Sequence, residues 1–410
     1  MNPAITSEPQ KRCSSRQFYL RLLPAFVLLG WGIYAMIKVW WLGLNQTSMN
    51  NVYGFALWIW ADLAIIALGG GAFFTGLLRY IFGKKELGSI INFAVLVGVI
   101  CYSSAMLILA LDVGQPLRFW FIFWHANVHS MLTEVAFCLA VYFAVLNIEY
   151  LPVLTQSPKL QRIPFLKKLG ENTHAIMGLF AGIGVFLSFF HQGSLGGMTG
   201  VLYARPFAFR EGVLIWPWTF FLYTWSAAAA GPCFTLLLAK ITEWVSGKKL
   251  VPDEVVNLLA KISGWMVISY IIFKIADTVY WASVTAPKSG FLWTRFYTES
   301  PLYHGYWILV AEIVVCGLIP GLILVSGKTR MKKGLLWTAV VLIICGVCIN
   351  RWTLIMQTVA MPVLPFLKWE LYLPSWQEVA TTLIPAAMGI ILVALSYRHL
   401  LLFPKEKELN

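Results

Sequence analysis

Residues 189–198 read FFHQGSLGGM and bring an imidazole, an amide and a hydroxyl together at the predicted end of an apolar helix. These groups, from His191, Gln192 and Ser194, can hydrogen-bond to a carbonyl or hydroxyl of a small apolar ligand that arrives through lipid. The stretch therefore predicts a quinone-type pocket around His191, with Ser194 in its lining. The alternative that these residues leave open is a histidine that only anchors a helix end.

Three carboxylates lie in the same half of the chain. We predict that Glu134 lies about two turns inside the fourth helix, Asp62 nearer the middle of the second and Asp112 at the outer end of the third. Ionisable groups inside a membrane are costly, and a carboxylate without a cation beside it can take up and release protons. We therefore predict that Glu134, Asp62 and Asp112 relay protons to His191.

Two further histidines precede Glu134. His125 and His129 are spaced i, i+4, which suits a shared metal or haem as well as a simple loop anchor. His129 is kept as a ligand-binding candidate, and no metal site is predicted from the pair.

The second half of the chain contains its own buried charges. Lys274 and Asp277 are spaced i, i+3 and are expected to neutralise each other on one helix face. For Arg351, a structural bridge to Asp277 or Glu312 and a functional role both stay open.

Composition indicates which elements must position these residues. The chain has 410 residues, of which 59% are hydrophobic and only 12% are charged. About a quarter of the residues of a soluble protein are charged, so this composition is typical of an all-α polytopic membrane protein. We predict ten transmembrane helices, near residues 18–42, 52–82, 89–112, 127–149, 174–192, 214–245, 257–283, 306–326, 335–357 and 379–402.

The distribution of basic residues predicts the orientation of the chain in the membrane. The net charge of +13 is spread over short clusters between apolar runs, which argues against a nucleic-acid-binding protein. Every second loop is rich in Lys and Arg, and such loops stay on the cytoplasmic side. We therefore predict a multi-pass protein of the bacterial inner membrane with both termini in the cytoplasm, and with Asp112 and His191 toward the outer face.

The helix order predicts an internal duplication. Helices two to five and six to nine begin with the same orientation, as expected for a parallel repeat. We predict two four-helix bundles flanked by one helix at each end. The segments are 1–51 (cytoplasmic N-terminus and first helix), 52–196 (first bundle, with the quinone site), 197–357 (second bundle) and 358–410 (outer loop, tenth helix and cytoplasmic tail).

Several short motifs resemble the NrfD/polysulfide reductase membrane-subunit family. Residues 111–120, LDVGQPLRFW, are similar to the LDLGRPxRFW stretch of that family, with Gln115 where arginine is usual. The ten-helix HybB/QrcD-like branch of the family is the most similar, through residues 130–134 (SMLTE), 191–196 (HQGSLG), 350–351 (NR) and 372–378 (YLPSWQE). The resemblance covers nearly the whole chain.

The resemblance implies a subunit that binds no haem or metal and exchanges electrons with menaquinone near the periplasmic surface. The implied partners are a periplasmic iron–sulfur subunit, a molybdopterin-type subunit and a multihaem cytochrome c subunit. It also implies that residues matching His191, Glu134, Asp112 and Arg351 lie near the quinone or the proton route. Gln115 changes the charge balance of its loop.

The predicted function is thus that of an integral membrane quinone-binding subunit of a respiratory oxidoreductase, with proton conduction from the cytoplasm as a further expectation. His191 is expected to bind a quinone carbonyl and to donate a proton to the reduced oxygen. A di-haem cytochrome b fits less well, because His174 and His191 are predicted near opposite faces. A proton- or ion-coupled transporter would use the buried charges of the second half, but helices broken in mid-membrane are not predicted.

Overall fold

The computed structural model describes residues 14–112, 116–157, 160–202, 205, 207–213, 216–299, 305–362, 364 and 366–409. Within these residues ten helices are long and apolar enough to cross a membrane, which confirms the all-α multi-pass prediction. They are α1 (Ser15–Leu42), α2 (Leu57–Ile81), α3 (Ile91–Asp112), α4 (Met131–Thr155), α5 (Met177–Gly200), α6 (Trp218–Ser246), α7 (Asp253–Lys288), α8 (Tyr306–Val325), α9 (Lys333–Ala360) and α10 (Trp376–His399).

Short elements connect these spans. An antiparallel pair, β1 (Gly212–Val213) and β2 (Trp216–Pro217), lies between α5 and α6, with Val213 opposite Trp216. The short helices and helical turns are Leu44–Gln46, Lys85–Ser89, Pro116–Arg118, Phe121–Trp124, Leu160–Arg162, Pro164–Ala175, Trp293–Thr298, Gly327–Arg330 and Glu406–Leu409.

We describe the spans as two groups, which follow the two predicted four-helix bundles. In the first group (α2–α5), α3 lies between α2 and α4, and α4 packs on α5. In the second group (α6–α9), α6 packs on α7 and α9, and α8 packs on both α7 and α9. Helix α1 packs on α10, while α6 also contacts α2 and α5 and so joins the groups. The division of the chain at residues 51, 196 and 357 stays a prediction.

The two groups meet at glycines. A Cβ atom added to Gly71 of α2 would strike the backbone of Gly231 in α6, and the reverse also holds. Only residues without a side chain permit this approach of two backbones, as at small-residue contacts between membrane helices. The crossing fixes α6 against the first group.

The predicted end of the fifth helix at Gln192 is wrong, because α5 continues to Gly200. The glycines that follow Gln192 lie outside the predicted helix, yet they line a helix–helix contact. A Cβ at Gly196 would collide with the Tyr223 ring and the Thr219 carbonyl of α6. Inside a membrane a continuous helix satisfies its own backbone hydrogen bonds, so these glycines favour close packing over chain reversal.

Four spans contain wider π-helical turns, at Leu77–Ile81, Trp281–Thr285, Ala311–Leu318 and Thr353–Gln357. Three of the four belong to the second group. Two of these, Trp281–Thr285 and Thr353–Gln357, lie near the ends of α7 and α9, at the end of the molecule where α3 ends at Asp112 and α5 ends at Gly200. We call this the outer end, after the orientation that the basic loops predict. Such turns often occur at functional sites.

Candidate functional site

His191 lies inside α5 and not at its end. It precedes Gly200 by nine residues, about two and a half turns, and its side chain is 0% exposed. Its Nδ1 lies 3.3 Å from the Leu187 carbonyl oxygen and its Nε2 lies 3.0 Å from Tyr102 Oη. A carbonyl can only accept, so this network assigns the hydrogen to Nδ1 and leaves Nε2 to accept from Tyr102. In this neutral form Nε2 has no proton to donate, and Tyr102 holds the hydrogen at this point.

Tyr102 and Gln192 connect α5 to the neighbouring spans. Gln192 is buried and donates from Nε2 to the Ile66 carbonyl of α2 at 2.8 Å and to Tyr102 Oη at 3.4 Å. The Tyr142 ring of α4 packs edge-on to Tyr102, with 4.6 Å between ring centroids, and stacks on His191 at 5.8 Å. Four spans therefore converge on one imidazole.

Several polar atoms of this region have unused hydrogen-bonding capacity. Among the residues that the structure describes, Asp62 Oδ1, Tyr142 Oη and Ser188 Oγ are buried and make no hydrogen bond. Asp62 interacts electrostatically with Tyr102, and Ser188 lies beside both tyrosines. We call this group the first polar cluster; it consists of Asp62, Tyr102, Tyr142, Ser188, His191 and Gln192.

Two of the predicted carboxylates are neighbours. Asp62 follows the first residue of α2 by only five positions, so its predicted place near the middle of that helix is wrong. Asp112, the last residue of α3, lies close enough for the two carboxylates to interact electrostatically. Through this interaction Asp62 connects the first polar cluster to Asp112 at the outer end. Gln115 lies outside the described residues.

Glu134 is less deeply placed than predicted. Helix α4 begins at Met131, so Glu134 occupies its first turn and is half-buried. Its carboxylate interacts with the Ser194 hydroxyl, which also donates to the Phe190 carbonyl at 2.9 Å. Ser194 follows His191 by three residues on α5. The structure thus brings Glu134, Ser194 and His191 to one side of α5.

His129 does not join these residues. It lies in the segment before α4, its side chain is exposed, and its backbone N–H donates to Asn127 Oδ1 at 3.1 Å. His125 is also exposed and packs against Phe121. Among the described residues no three His, Cys, Asp or Glu side chains form a group that could hold a metal ion.

Arg351 belongs to a different cluster, in the second group. Its guanidinium is 1% exposed, donates to Asn350 Oδ1 at 2.6 Å and to Ser226 Oγ at 2.9 Å, and lies 3.6 Å from the centre of the Tyr223 ring. Asn350 in turn donates to Glu312 Oε1 at 2.7 Å. Arg351 therefore reaches Glu312 through an amide and not by a direct ion pair.

The expected mutual neutralisation of Lys274 and Asp277 is wrong. Lys274 Nζ lies 3.7 Å from Glu312 Oε1, whereas Asp277 Oδ1 accepts from Arg210 Nε at 2.7 Å. A helix face allows an i, i+3 pair, but partners on other elements offer better geometry here. We call Arg210, Tyr270, Lys274, Asp277, Glu312, Asn350 and Arg351 the second polar cluster.

Several residues of the two clusters were not predicted from the sequence. Tyr102, Tyr142 and Ser188 occupy ordinary apolar stretches, and Arg210 lies between two of the predicted helices. A tyrosine or serine within a transmembrane run carries no spacing signal that separates a site from packing. Arg210 gave no signal either, because an arginine between two apolar runs is usually exposed to solvent.

The comparisons with known proteins agree with this architecture. The chain is 49% identical over 400 residues to the menaquinone reductase integral membrane subunit of Nitratidesulfovibrio vulgaris, covering 98% of this chain and 95% of that protein. It is 24% identical over 390 residues to the probable Ni/Fe-hydrogenase 2 b-type cytochrome subunit of Escherichia coli, covering 89% and 88%. It is 21% identical over 404 residues to a selenate reductase subunit of Mesobacillus selenatarsenatis, covering 90% of each.

The family itself follows from a match to a family model. The family model described as "Polysulphide reductase, NrfD" matches residues 43–363, which include both polar clusters. The resemblance inferred from the short motifs is thereby confirmed, and the chain belongs to the NrfD polysulphide reductase family of membrane proteins.

Proposed function

We propose that this chain is the integral membrane subunit of a menaquinone-reducing respiratory complex and that the quinone binds at the first polar cluster. The observation that carries the proposal is the set of unpartnered atoms, Asp62 Oδ1, Tyr142 Oη and Ser188 Oγ, buried around His191. Buried polar atoms normally have partners, so this unused capacity supports a site for a ligand or water. The name of the relative of 49% identity supports menaquinone as the ligand.

Reduction of a quinone to a quinol requires two electrons and two protons. The Tyr102 hydroxyl, which now donates to His191, is the group that can turn to a quinone oxygen and orient it. His191 Nε2 is then free to take up a proton, which makes the imidazole the next donor. Gln192 holds Tyr102 in place through its amide.

Protons reach the site along two sets of carboxylates in this proposal. On the side of the outer end, Asp112 leads to Asp62 of the first polar cluster, and Glu134 leads through Ser194 toward His191. Toward the opposite end, Glu149 of α4 interacts electrostatically with Tyr142. Glu149 is the acidic group that supports a path from the cytoplasm, which would move charge across the membrane during turnover.

The electrons come from a partner in this proposal. A periplasmic iron–sulfur subunit docks over the outer end, and molybdopterin-type and multihaem cytochrome c subunits complete the complex. Exposed apolar side chains between α3 and α4, at Leu117, Trp124 and Val128, support a contact with another protein there. The basic loops support an inner-membrane subunit with both termini in the cytoplasm.

The test is quinone binding and reduction by the purified complex. Tyr102→Phe and His191→Gln each remove one hydrogen-bonding group and should lower the affinity for a menaquinone analogue about tenfold. Ser103→Ala is the matched control, because Ser103 lies next to Tyr102 but donates to Val99 of its own helix. Unchanged affinity and turnover in both variants would place the quinone elsewhere.

The relay has its own test. Glu134→Gln should slow quinone reduction and the build-up of membrane potential while the complex still assembles. Glu171→Gln, in the exposed part of the helix Pro164–Ala175, is the control. Turnover equal to that of the unaltered complex would remove Glu134 from the relay.

Two alternatives are separated by simple measurements. One relative is named a b-type cytochrome subunit, so an absorption spectrum of the purified chain is decisive: a Soret band would contradict a subunit without haem. A proton- or ion-coupled transporter would use the second polar cluster. The names of the relatives, subunits of a reductase, a hydrogenase and a selenate reductase, support the redox function over transport.

A further inference from the structure

Lys274 of α7 is held loosely by its partner. Its side chain is buried, and its Nζ lies 3.7 Å from Glu312 Oε1, beyond hydrogen-bonding distance. That oxygen already accepts from Asn350 at 2.7 Å and from the Tyr270 hydroxyl at 3.4 Å. The ammonium group therefore contributes charge to Glu312 without a fixed hydrogen bond.

A second acceptor lies one turn away on the same helix. Asp277 follows Lys274 by three residues, which places both on one face of α7. Asp277 Oδ1 is taken by Arg210, but Oδ2 is buried and has no hydrogen-bond partner in the described parts of the chain. A lysine side chain has four flexible carbons, so the Lys274 ammonium can reach the carboxylate of either Glu312 or Asp277.

Glu312 also borders a small cavity. The cavity has a volume of about 20 Å³, and its lining residues include Ser226, Tyr270 and Glu312 together with apolar residues such as Val267 and Ile343. This volume accommodates one water molecule, which needs two or more polar partners of this kind. Such a water can deliver a proton to the Glu312 carboxylate and remove it again.

We propose that Glu312 is a proton-binding site of the second group and that Lys274 changes partner when Glu312 is protonated. A proton that arrives from solvent by way of the cavity water neutralises the Glu312 carboxylate, which then no longer attracts the Lys274 ammonium. Asp277 keeps its negative charge, so Lys274 moves to Oδ2 of Asp277. Release of the proton to the water restores the carboxylate and brings Lys274 back, and the charge of the cluster changes by one in each direction.

Other charged and titratable groups surround Lys274, Glu312 and Asp277. Arg210 fixes Asp277, and its backbone N–H donates to the Gly200 carbonyl at the end of α5, at 3.0 Å. The switch is thereby tied to the helix that carries His191. The groups that face Lys274 and Glu312 are Tyr270 and Asp277 on α7, Cys316 on α8, Asn350 and Arg351 on α9, Tyr223 on α6, and Arg210 and Tyr297 from the connecting segments.

Infrared difference spectroscopy of the purified complex at stepped pH tests the proton site directly. We expect a carboxylic acid C=O band that titrates in the unaltered protein and is absent from Glu312→Gln. The control is Glu149→Gln, which removes a carboxyl of the first group and should keep this band. The measurement involves neither quinone nor electron transfer, so it is independent of the proposed function. Absence of a band assignable to Glu312 overturns the proposal.

The exchange of partners by Lys274 is tested by removing its second acceptor, the Asp277 carboxylate. In Asp277→Asn the ammonium has only Glu312 to pair with, so the pH at which the band forms should differ from that of the unaltered protein. Lys274→Met removes the ammonium and should change this pH in the opposite sense. If Asp277→Asn does not assemble, the double variant Arg210→Gln with Asp277→Asn removes both charges of the Arg210–Asp277 ion pair. The pH at which the carboxylic acid band forms is then measured in the same way. A band that titrates identically with and without Asp277 shows a static ion pair and overturns the switch.

Discussion

The two polar clusters solve the cost of buried polarity in opposite ways. In the first, one imidazole is surrounded by hydroxyls and an amide, and three buried polar atoms have no partner among the described residues. In the second, charges of both signs are joined by hydrogen bonds that run from Glu312 through Asn350 to Arg351. Unused capacity suits a site that must receive a ligand, whereas a connected ionic network suits a site that must keep its own shape.

The largest effect that this comparison predicts is on stability, in the second cluster. Arg351→Met removes the donor to Asn350 and Ser226 and should cost about 3–5 kcal/mol, the range for breaking a buried charge network. Thermal unfolding of the purified protein measures it. Arg330→Met is the control: Arg330 is only partly buried and donates to carbonyls of α8, so its loss should cost about 1 kcal/mol. Equal losses would erase the distinction between a buried network and an ordinary helix-end arginine.

The contact that joins the clusters gives the next effect. Gly196→Leu forces a side chain into the Tyr223 ring and the Thr219 carbonyl, and we expect a loss of about 1–3 kcal/mol from overpacking. Gly182→Leu on the same helix is the control, because a Cβ there meets no atom within 4 Å. Unfolding temperatures that fall equally in both variants would show that α5 tolerates no leucine at all.

A pair of tyrosines separates ligand binding from stability. The hydroxyls of Tyr142, in the first cluster, and Tyr223, beside Arg351, are both buried without a hydrogen bond among the described residues. Removing an unpartnered hydroxyl should leave stability unchanged within about 0.5 kcal/mol, since no bond is lost. Tyr142→Phe should nevertheless weaken binding of a menaquinone analogue by up to about tenfold, and Tyr223→Phe should not. The reverse pattern would move the quinone to the second group.

The smallest effect concerns the pH dependence of stability that arises from exposed hydrogen bonds to Glu211 near the second cluster. The Tyr280 hydroxyl and the Lys288 ammonium hydrogen-bond to Glu211 and hold the pKa of that carboxyl below its usual value. A carboxyl with a lowered pKa in the folded state stabilises above its ordinary pKa of about 4.3 and loses this contribution as pH falls through the folded value. The unfolding temperature of the unaltered protein minus that of Glu211→Gln should shrink over this acidic range. A temperature difference that stays constant with pH would mean that the Glu211 contacts do not stabilise the protein through charge.

Prediction from the sequence succeeded where a single physical quantity decides the outcome. Ten apolar runs became ten spans because the membrane thickness sets the length of an apolar helix. Helix ends were less certain: α4 begins at Met131 instead of residue 127, and α5 runs on through Gly196 to Gly200. A glycine signals either a turn or a close helix contact, and only the neighbouring α6 decides between them.

The same limit applies to the site. His191, Glu134, Asp62 and Asp112 were selected as candidates because ionisable groups in apolar runs are costly and stand out. Tyr102 was not selected, since a tyrosine in a membrane helix costs little and is common. Lys274 was matched with Asp277 because both lie on one helix, whereas the actual partner of Asp277, Arg210, lies outside the predicted helices.

The sequence by itself determined the membrane class, the number of spans and the existence of buried charge, because each depends on residue composition over a window of one helix. Which side chains meet was decided only by the tertiary structure. The partners of His191 and of Asp277 lie far away in the sequence. Tyr102, the partner of His191, belongs to α3, and Arg210, the partner of Asp277, belongs to the segment after α5. Hydrogen bonds act over about 3 Å, so their pairing depends on how the helices cross, which no local pattern encodes.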